Sequence, residues 1–349
     1  MVDMSSLLKM TSEQNASDLH ITVNSPPILR IDGDLLITDI EPLDQEATKA
    51  LIYSILTDEQ KAIFEKDKEL DFSFAVPEMD RFRINVHYQK GSVEAALRRI
   101  PQSIPQLDEL GIPLIAYDLI RKPNGLVLVT GPTGVGKSTT LAAMLDVINS
   151  EREDIIICVE DPIEFYHKNN KSVIKQREVY ADTHSFPEAL RRCLRQDPDV
   201  IVVGEMRDLQ TIATTLTAAE TGHLVLATLH TPDAPQTVQR IIDVFPPHQQ
   251  KQVRVQLADC LQGVISQILL HRADNKGRIL ATEVMIATAG IRNLIREGEV
   301  AQIPSLIQMG AQYGMHTMDK SLKELYKKGI VSHEVAISKV KNVAEFESL

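Results

Sequence analysis

A chain of 349 residues with 43% hydrophobic content is long enough for two domains with separate cores, and its composition excludes general disorder. Its formal net charge of −11 argues against a general nucleic-acid binder, which needs a broad basic surface for phosphate contacts. The 3 cysteines, Cys158, Cys193 and Cys260, make no C-x-x-C pair, which argues against a zinc module or a disulfide framework.

The opening MVDMSSLLKMTSEQ lacks the basic flank and apolar centre of a signal peptide, and no later apolar run approaches the ~18 residues of a membrane span. A cytoplasmic protein is expected, touching a membrane only through a partner. From His20 to Ile40 apolar and polar residues alternate, interrupted by Pro26, Pro27 and the turn pair Asp32 and Gly33, which is the pattern of a hairpin. Leu51, Ile52, Ile55 and Leu56 then fall on a helical stripe, and Thr57 with Gln60 makes a capping box for a second short helix. The runs LDFSFAV and RFRINVHYQ read as strands. Residues 1–100 are thus expected to form a small α+β domain, followed by a proline-rich linker over 101–113.

Beyond the linker, residues 114–349 change rhythm. GLVLVT, IIICVED, DVIVVGE and HLVLATLH are short, continuously apolar runs, as strands covered on both faces of a parallel sheet require. The fold class expected is therefore α/β for this part. From about residue 285 the chain reads as helical, ending in two amphipathic helices joined at Gly329.

Gly131, Pro132, Thr133, Gly134, Val135, Gly136, Lys137, Ser138 and Thr139 follow the first of these strands and fit G-x-x-x-x-G-K-[ST]. In such a loop the glycines let backbone N–H groups face phosphate oxygens, the lysine reaches the β- and γ-phosphates, and the hydroxyl of Ser138 ligates Mg²⁺. ATP and Mg²⁺ are the expected ligands. Ligands of open parallel sheets sit beyond the carboxyl ends of the strands, and the other runs end in polar groups. Glu160, Asp161 and Glu164 follow one strand, Glu205 with Arg207 and Asp208 another, and His230 a third. Glu164 is expected to orient the attacking water and Glu205 to stand on the metal side, partly through water, with Glu160 and Asp161 as competing acids. His230, closing a strand beside the phosphates, is placed to sense the γ-phosphate; His223 is a weaker candidate.

GPTGVGKSTT, CVEDPIEF, KQREVYADTHSFPEALRRCLRQDPDVIVVGEMRD and TAAETGHLVLATLHT together resemble the Walker A, Asp box, atypical Walker B and His box of the secretion-ATPase family that drives type II secretion and type IV pili. SDLHITV and GIRNLIREGEV extend the likeness over essentially the whole chain and are similar to the branch that retracts pili. The resemblance implies a PAS-like N-terminal domain, a RecA-like ATPase domain and a homohexameric ring at the inner membrane. It implies Glu164 as the catalytic glutamate, Glu205 as the Walker B acid, and His223 and His230 as the His box. It implies that Arg83, with Arg81 as a close alternative, and Arg98 reach the nucleotide from the small domain. The partners implied are a PilC-like membrane platform and a PilU-like accessory ATPase. Gly290 stands where the family segment has alanine and lowers helix propensity by about 1 kcal/mol, so a shifted helix start is expected there.

Two other function classes bear on the same residues. An assembly or secretion ATPase of the family would usually carry a longer N-terminal region and a four-cysteine zinc module. A RecA-like nucleic-acid motor would use Arg191, Arg192 and Arg195 on phosphates, but the acidic balance and the 4% aromatic content oppose it.

Overall fold

The computed structural model describes residues 2–75, 80–101, 103–274 and 276–347. The chain separates into two compact units, Met1–Ser103 and Ile104–Leu349. Val76, at the end of the run LDFSFAV, lies outside the described residues.

In the first unit, β1 (Asp18–Ile21), β2 (Ile28–Ile31), β3 (Asp34–Ile37), β4 (Glu69–Ala75), β5 (Arg81–Gln89) and β6 (Ser92–Ile100) form an antiparallel sheet in the order β3-β2-β1-β6-β5-β4. The expected hairpin is β2–β3. Asp32 and Gly33 at its turn have φ of 51° and 101°, the pair of left-handed residues that a two-residue turn needs to match strand twist. Phe82, Ile84 and Val86 alternate along β5 into a core shared with Leu7, Leu8, Ile52 and Phe64 of the helices Met4–Glu13, Gln45–Tyr53 and Asp58–Asp67. The capping box at Thr57 and Gln60 is formed in both directions. The stripe that begins at Leu51 does not stay helical: the helix ends at Tyr53, and Leu56 is buried from the turn that precedes the capped helix.

In the second unit, β7 (Gly125–Thr130), β8 (Ile155–Glu160), β9 (Val173–Glu178), β10 (Val200–Val203), β11 (Leu224–Leu229), β12 (Leu261–His271) and β13 (Arg278–Ile286) lie in the order β13-β12-β7-β11-β10-β8-β9. All neighbours pair in parallel except β12 with β13. β7, β10 and β11 are buried at every position because helices cover both faces. Leu126 and Leu128 enter one core with the helices Leu209–Glu220, Ala234–Asp243 and Pro247–Cys260. Val127 and Val129 enter the other core, with the helix Lys137–Glu151. Burying each such side chain contributes roughly 1.5–3 kcal/mol, so this sheet is a rigid mount for whatever its ends carry.

Within the proline-rich stretch, Leu107 and Ile112 pack into the core of the second unit. The helix that carries Gly290 begins one residue before it. The helix spans Ala289–Glu297, Thr288 caps it by accepting from the Ile291 N–H, and Gly290 sits in the first turn. A strong cap offsets a single weak helix former.

Candidate active site

Parallel strands deliver their carboxyl ends to one edge of the sheet. Thr130 is in register with Leu229, Ala227 with Val203, and Val203 with Val159. The residues that follow, Gly131, His230, Glu205 and the Glu160–Glu164 segment, therefore line a common edge.

The loop Gly131–Gly136 turns under the helix Lys137–Glu151. Gly131 has φ 143°, and a Cβ there would fall 2.3 Å from the Gln267 carbonyl oxygen, so only glycine fits. No side chain caps the helix that follows, whereas Asp208 and Asp233 cap the helices after β10 and β11. Its first N–H groups therefore keep their capacity for an anion. Lys137 is 8% exposed and its Nζ donates to the carbonyls of Gly131 at 2.8 Å and Pro132 at 2.9 Å. Burial lowers its pKa, and the charges of Glu205 and Glu164 oppose that shift. Both expected acids therefore act on the loop lysine.

Glu205 follows Gly204 at the end of β10. The glycine suits a close approach of strands: a Cβ would sit 3.2 Å from both Glu160 Cα and the Val159 oxygen on β8. Glu205 Oε2 accepts from Arg207 at 2.7 Å and Oε1 lies 2.9 Å from His230 Nε2. Burial works against the charge of Glu205, but these hydrogen bonds hold its pKa below the ordinary carboxylate value. The other ring nitrogen of His230, Nδ1, is 3.2 Å from Thr133 Oγ1 and 3.4 Å from Lys137 Nζ. His230 therefore joins the acid of one strand to the phosphate loop of another.

The three acids at and beyond the end of β8 separate by environment. Burial pushes Glu160 up to about 7, against the hydrogen bond it accepts from Gln176 Nε2 at 3.0 Å. Asp161 is exposed and acts through its charge on Arg207. Glu164 is exposed beyond the cis Asp161–Pro162 bond. Ser138, Glu205 and Glu164 are hard oxygen donors that suit Mg²⁺. Among the described residues no group of three or more His, Cys, Asp or Glu is placed to hold a metal ion.

His223 does not join this edge. It precedes the first residue of β11, its carbonyl accepts from the Gly125 N–H at 3.0 Å, and its Nδ1 lies 2.9 Å from the Ala218 oxygen. Six strand residues, about 20 Å, separate it from His230. Arg81, Arg83 and Arg98 belong to the first unit. Arg83 on β5 stands directly opposite Arg98 on β6, and Arg98 Nε donates to Asp18 at 3.0 Å. Sequence reasoning missed β12 and its Gln267; the signal available was a lone amide inside the apolar run VISQILL.

The type II/IV secretion system protein model matches residues 2–337. The chain is 50% identical over 340 residues to the type IV pilus retractation ATPase PilT of Pseudomonas aeruginosa, covering 97% of this chain and 98% of that one. It is 44% identical over 337 residues to a twitching motility protein of Neisseria gonorrhoeae, covering 97% and 90%. The crystal structure of the pilus retraction motor PilT with bound ADP superposes with a TM-score of 0.89 at 47% identity, covering 100% of both chains. A phosphate loop, an acid after a glycine-ended strand and a histidine between them thus sit in a chain whose likeness runs end to end, and the chain belongs to the type II/IV secretion system protein family.

Proposed function

We propose that this chain is an ATP-hydrolysing motor that powers type IV pilus retraction, withdrawing pilin subunits into the inner membrane and so producing twitching motility. The observation that carries the chemistry is the single sheet edge that gathers the Gly131–Gly136 loop, Lys137, Glu205 and His230. The full-length likeness to a protein named as a pilus retraction ATPase supports the direction of the work. In this reading Ile104–Leu349 is a RecA-like ATPase core and Met1–Ser103 a PAS-like domain.

Backbone N–H groups of the loop and the uncapped helix end hold the phosphates, and Lys137 reaches the β- and γ-oxygens. Mg²⁺, when bound, neutralises charge developing on those oxygens. Ser138 would hold it directly, and Glu205, both of whose oxygens are engaged by Arg207 and His230, would act on it through water. Glu164 orients the attacking water. His230 links the γ-phosphate position to Glu205, so loss of phosphate is felt at both strands.

The working form is a homohexamer, peripheral at the cytoplasmic face of the inner membrane. Arg83 and Arg98, with Arg81 beside them, supply positive charge to the γ-phosphate during closure of the ring. Arg83 and Arg98 stand directly opposite each other across β5 and β6, so both side chains lie on one face of the sheet, which supports a shared role. The partners are a PilC-like platform and a PilU-like accessory ATPase; nucleic acid is not one. Among the described residues no helix is long and apolar enough to cross a membrane. Specific ATPase activity should climb steeply with protein concentration through ring assembly.

The deciding experiment counts surface pili in a strain whose sole copy carries Glu164→Gln. More pili with lost twitching is the expected result. Bald cells would instead assign the hydrolysis to pilus assembly.

A further inference from the structure

The phosphate loop rests on a strand that is remote in sequence. β12 runs parallel to β7 on the side away from β11, with Ser266 in register with Thr130, and the two buried hydroxyls bond at 2.8 Å. The next residue, Gln267, is 0% exposed and has both ends of its amide committed. Nε2 donates to the Val135 carbonyl at 2.8 Å, and Oε1 accepts from the hydroxyl of Thr140, itself 2% exposed, at 3.1 Å. The Gln267 backbone oxygen is also the atom that keeps Gly131 a glycine. One residue thus touches the first glycine of the loop, its last carbonyl before Gly136, and the first turn of the helix beyond.

The Val135 carbonyl and the Gly136 N–H belong to one trans peptide, so they point in opposite directions. Holding the carbonyl inward, against the sheet, turns the N–H outward into the phosphate cradle. We infer that Gln267 is a positioning residue for nucleotide binding, which fixes the Val135–Gly136 peptide so that its N–H faces the phosphates. The Val135 carbonyl can only accept, so it sets Nε2 toward itself, and the Thr140 hydroxyl holds the amide there by donating to Oε1. An apolar side chain at 267 would leave a buried carbonyl without a donor and free that peptide to rotate. This inference rests on the reading of the Gly131–Gly136 loop as an ATP site.

The test uses the full chain with Mg²⁺ and compares wild type, Gln267→Met and Gln267→Glu. Methionine fills nearly the same volume without the amide. KM for ATP and Kd for ADP are expected to rise about tenfold, the effect of one buried acceptor left unpaired, while kcat changes far less. In Gln267→Glu a protonated carboxyl can donate to Val135 but a carboxylate cannot. Its KM relative to wild type should therefore approach one at low pH and climb as pH rises, which a residue that only fills space would not produce. The inference is overturned if wild type binds ATP and both variants keep wild-type KM and ADP affinity. It is also overturned if the KM ratio of Gln267→Glu is flat with pH. A wild type that fails to bind nucleotide at all overturns the ATP reading and this inference together. Thr140→Val provides a second route to the same answer: it should weaken ADP binding in the wild-type background and add little on top of Gln267→Met.

Discussion

His230 Nε2 lies 2.9 Å from Glu205 Oε1 while Nδ1 of the same ring lies 3.2 Å from Thr133 Oγ1. One imidazole therefore reports the state of the phosphate loop to the acid on the neighbouring strand. Replacing it by alanine leaves the phosphate-binding backbone in place but removes the group that orients Glu205. His230→Ala should lower kcat roughly 10–100-fold, the usual effect of losing an orienting partner, with ADP affinity changed only slightly. Steady-state kinetics with an ADP titration measures both, and an equal loss in each would assign His230 to phosphate binding instead.

Gly204 sits where two strands approach closely. Its missing Cβ would press at 3.2 Å on Glu160 Cα and on the Val159 oxygen, both backbone atoms that cannot rotate away. Gly204→Ala should cost on the order of 1–3 kcal/mol and move Glu205 off its partners. Thermal melting and kcat should fall together; a melting point equal to wild type would mean that the strands separate more easily than their packing implies.

Glu160 gives the stability a dependence on pH. Its pKa is raised from 4.5 to about 7, so between those values the folded chain holds a proton that the unfolded chain has released. Stability therefore falls as pH rises through this window and levels off above about 7. Glu160→Gln keeps the shape without the charge. Its Tm advantage over wild type should grow from pH 5 to pH 8, by a few degrees, and a constant difference would mean that Glu160 is better solvated than its burial indicates.

Gly290→Ala should stabilise the chain. The glycine lies in the first turn of a capped helix, and the new Cβ would meet Leu306 Cδ1 at 3.3 Å, the mobile end of a flexible side chain. Removing the helix penalty of glycine is worth up to about 1 kcal/mol. Differential scanning calorimetry should register a higher Tm, and a lower one would show that Leu306 has no room to yield.

Features set by neighbours in the chain were legible in the sequence. The phosphate loop, the Asp32–Gly33 turn and the Thr57–Gln60 capping box depend on spacings of a few residues. The unbroken apolar runs at β7, β8, β10 and β11 could be read for a similar reason, because a strand covered on both faces must be apolar throughout. β12 and β13 escaped notice because Ser266, Gln267, Thr282 and Glu283 interrupt them. Those polar groups are buried only because remote segments satisfy them, as Thr130 does for Ser266 and the Ala234 N–H for Glu283.

The sequence by itself determined that a triphosphate loop follows a buried strand and that acids and a histidine close its neighbours, since strand ends in a parallel sheet share an edge. It ranked Glu164 ahead of Glu160 and Asp161, and His230 ahead of His223, without their burial or hydrogen-bond partners. Only the tertiary structure gives them their surroundings, setting Glu160 against Gln176, leaving Asp161 and Glu164 exposed, and placing the two histidines at opposite ends of one strand. The physical reason is that burial and hydrogen-bond partnership belong to the packed sheet, and a residue such as Gln267 acquires its partners only when β12 comes to lie against β7.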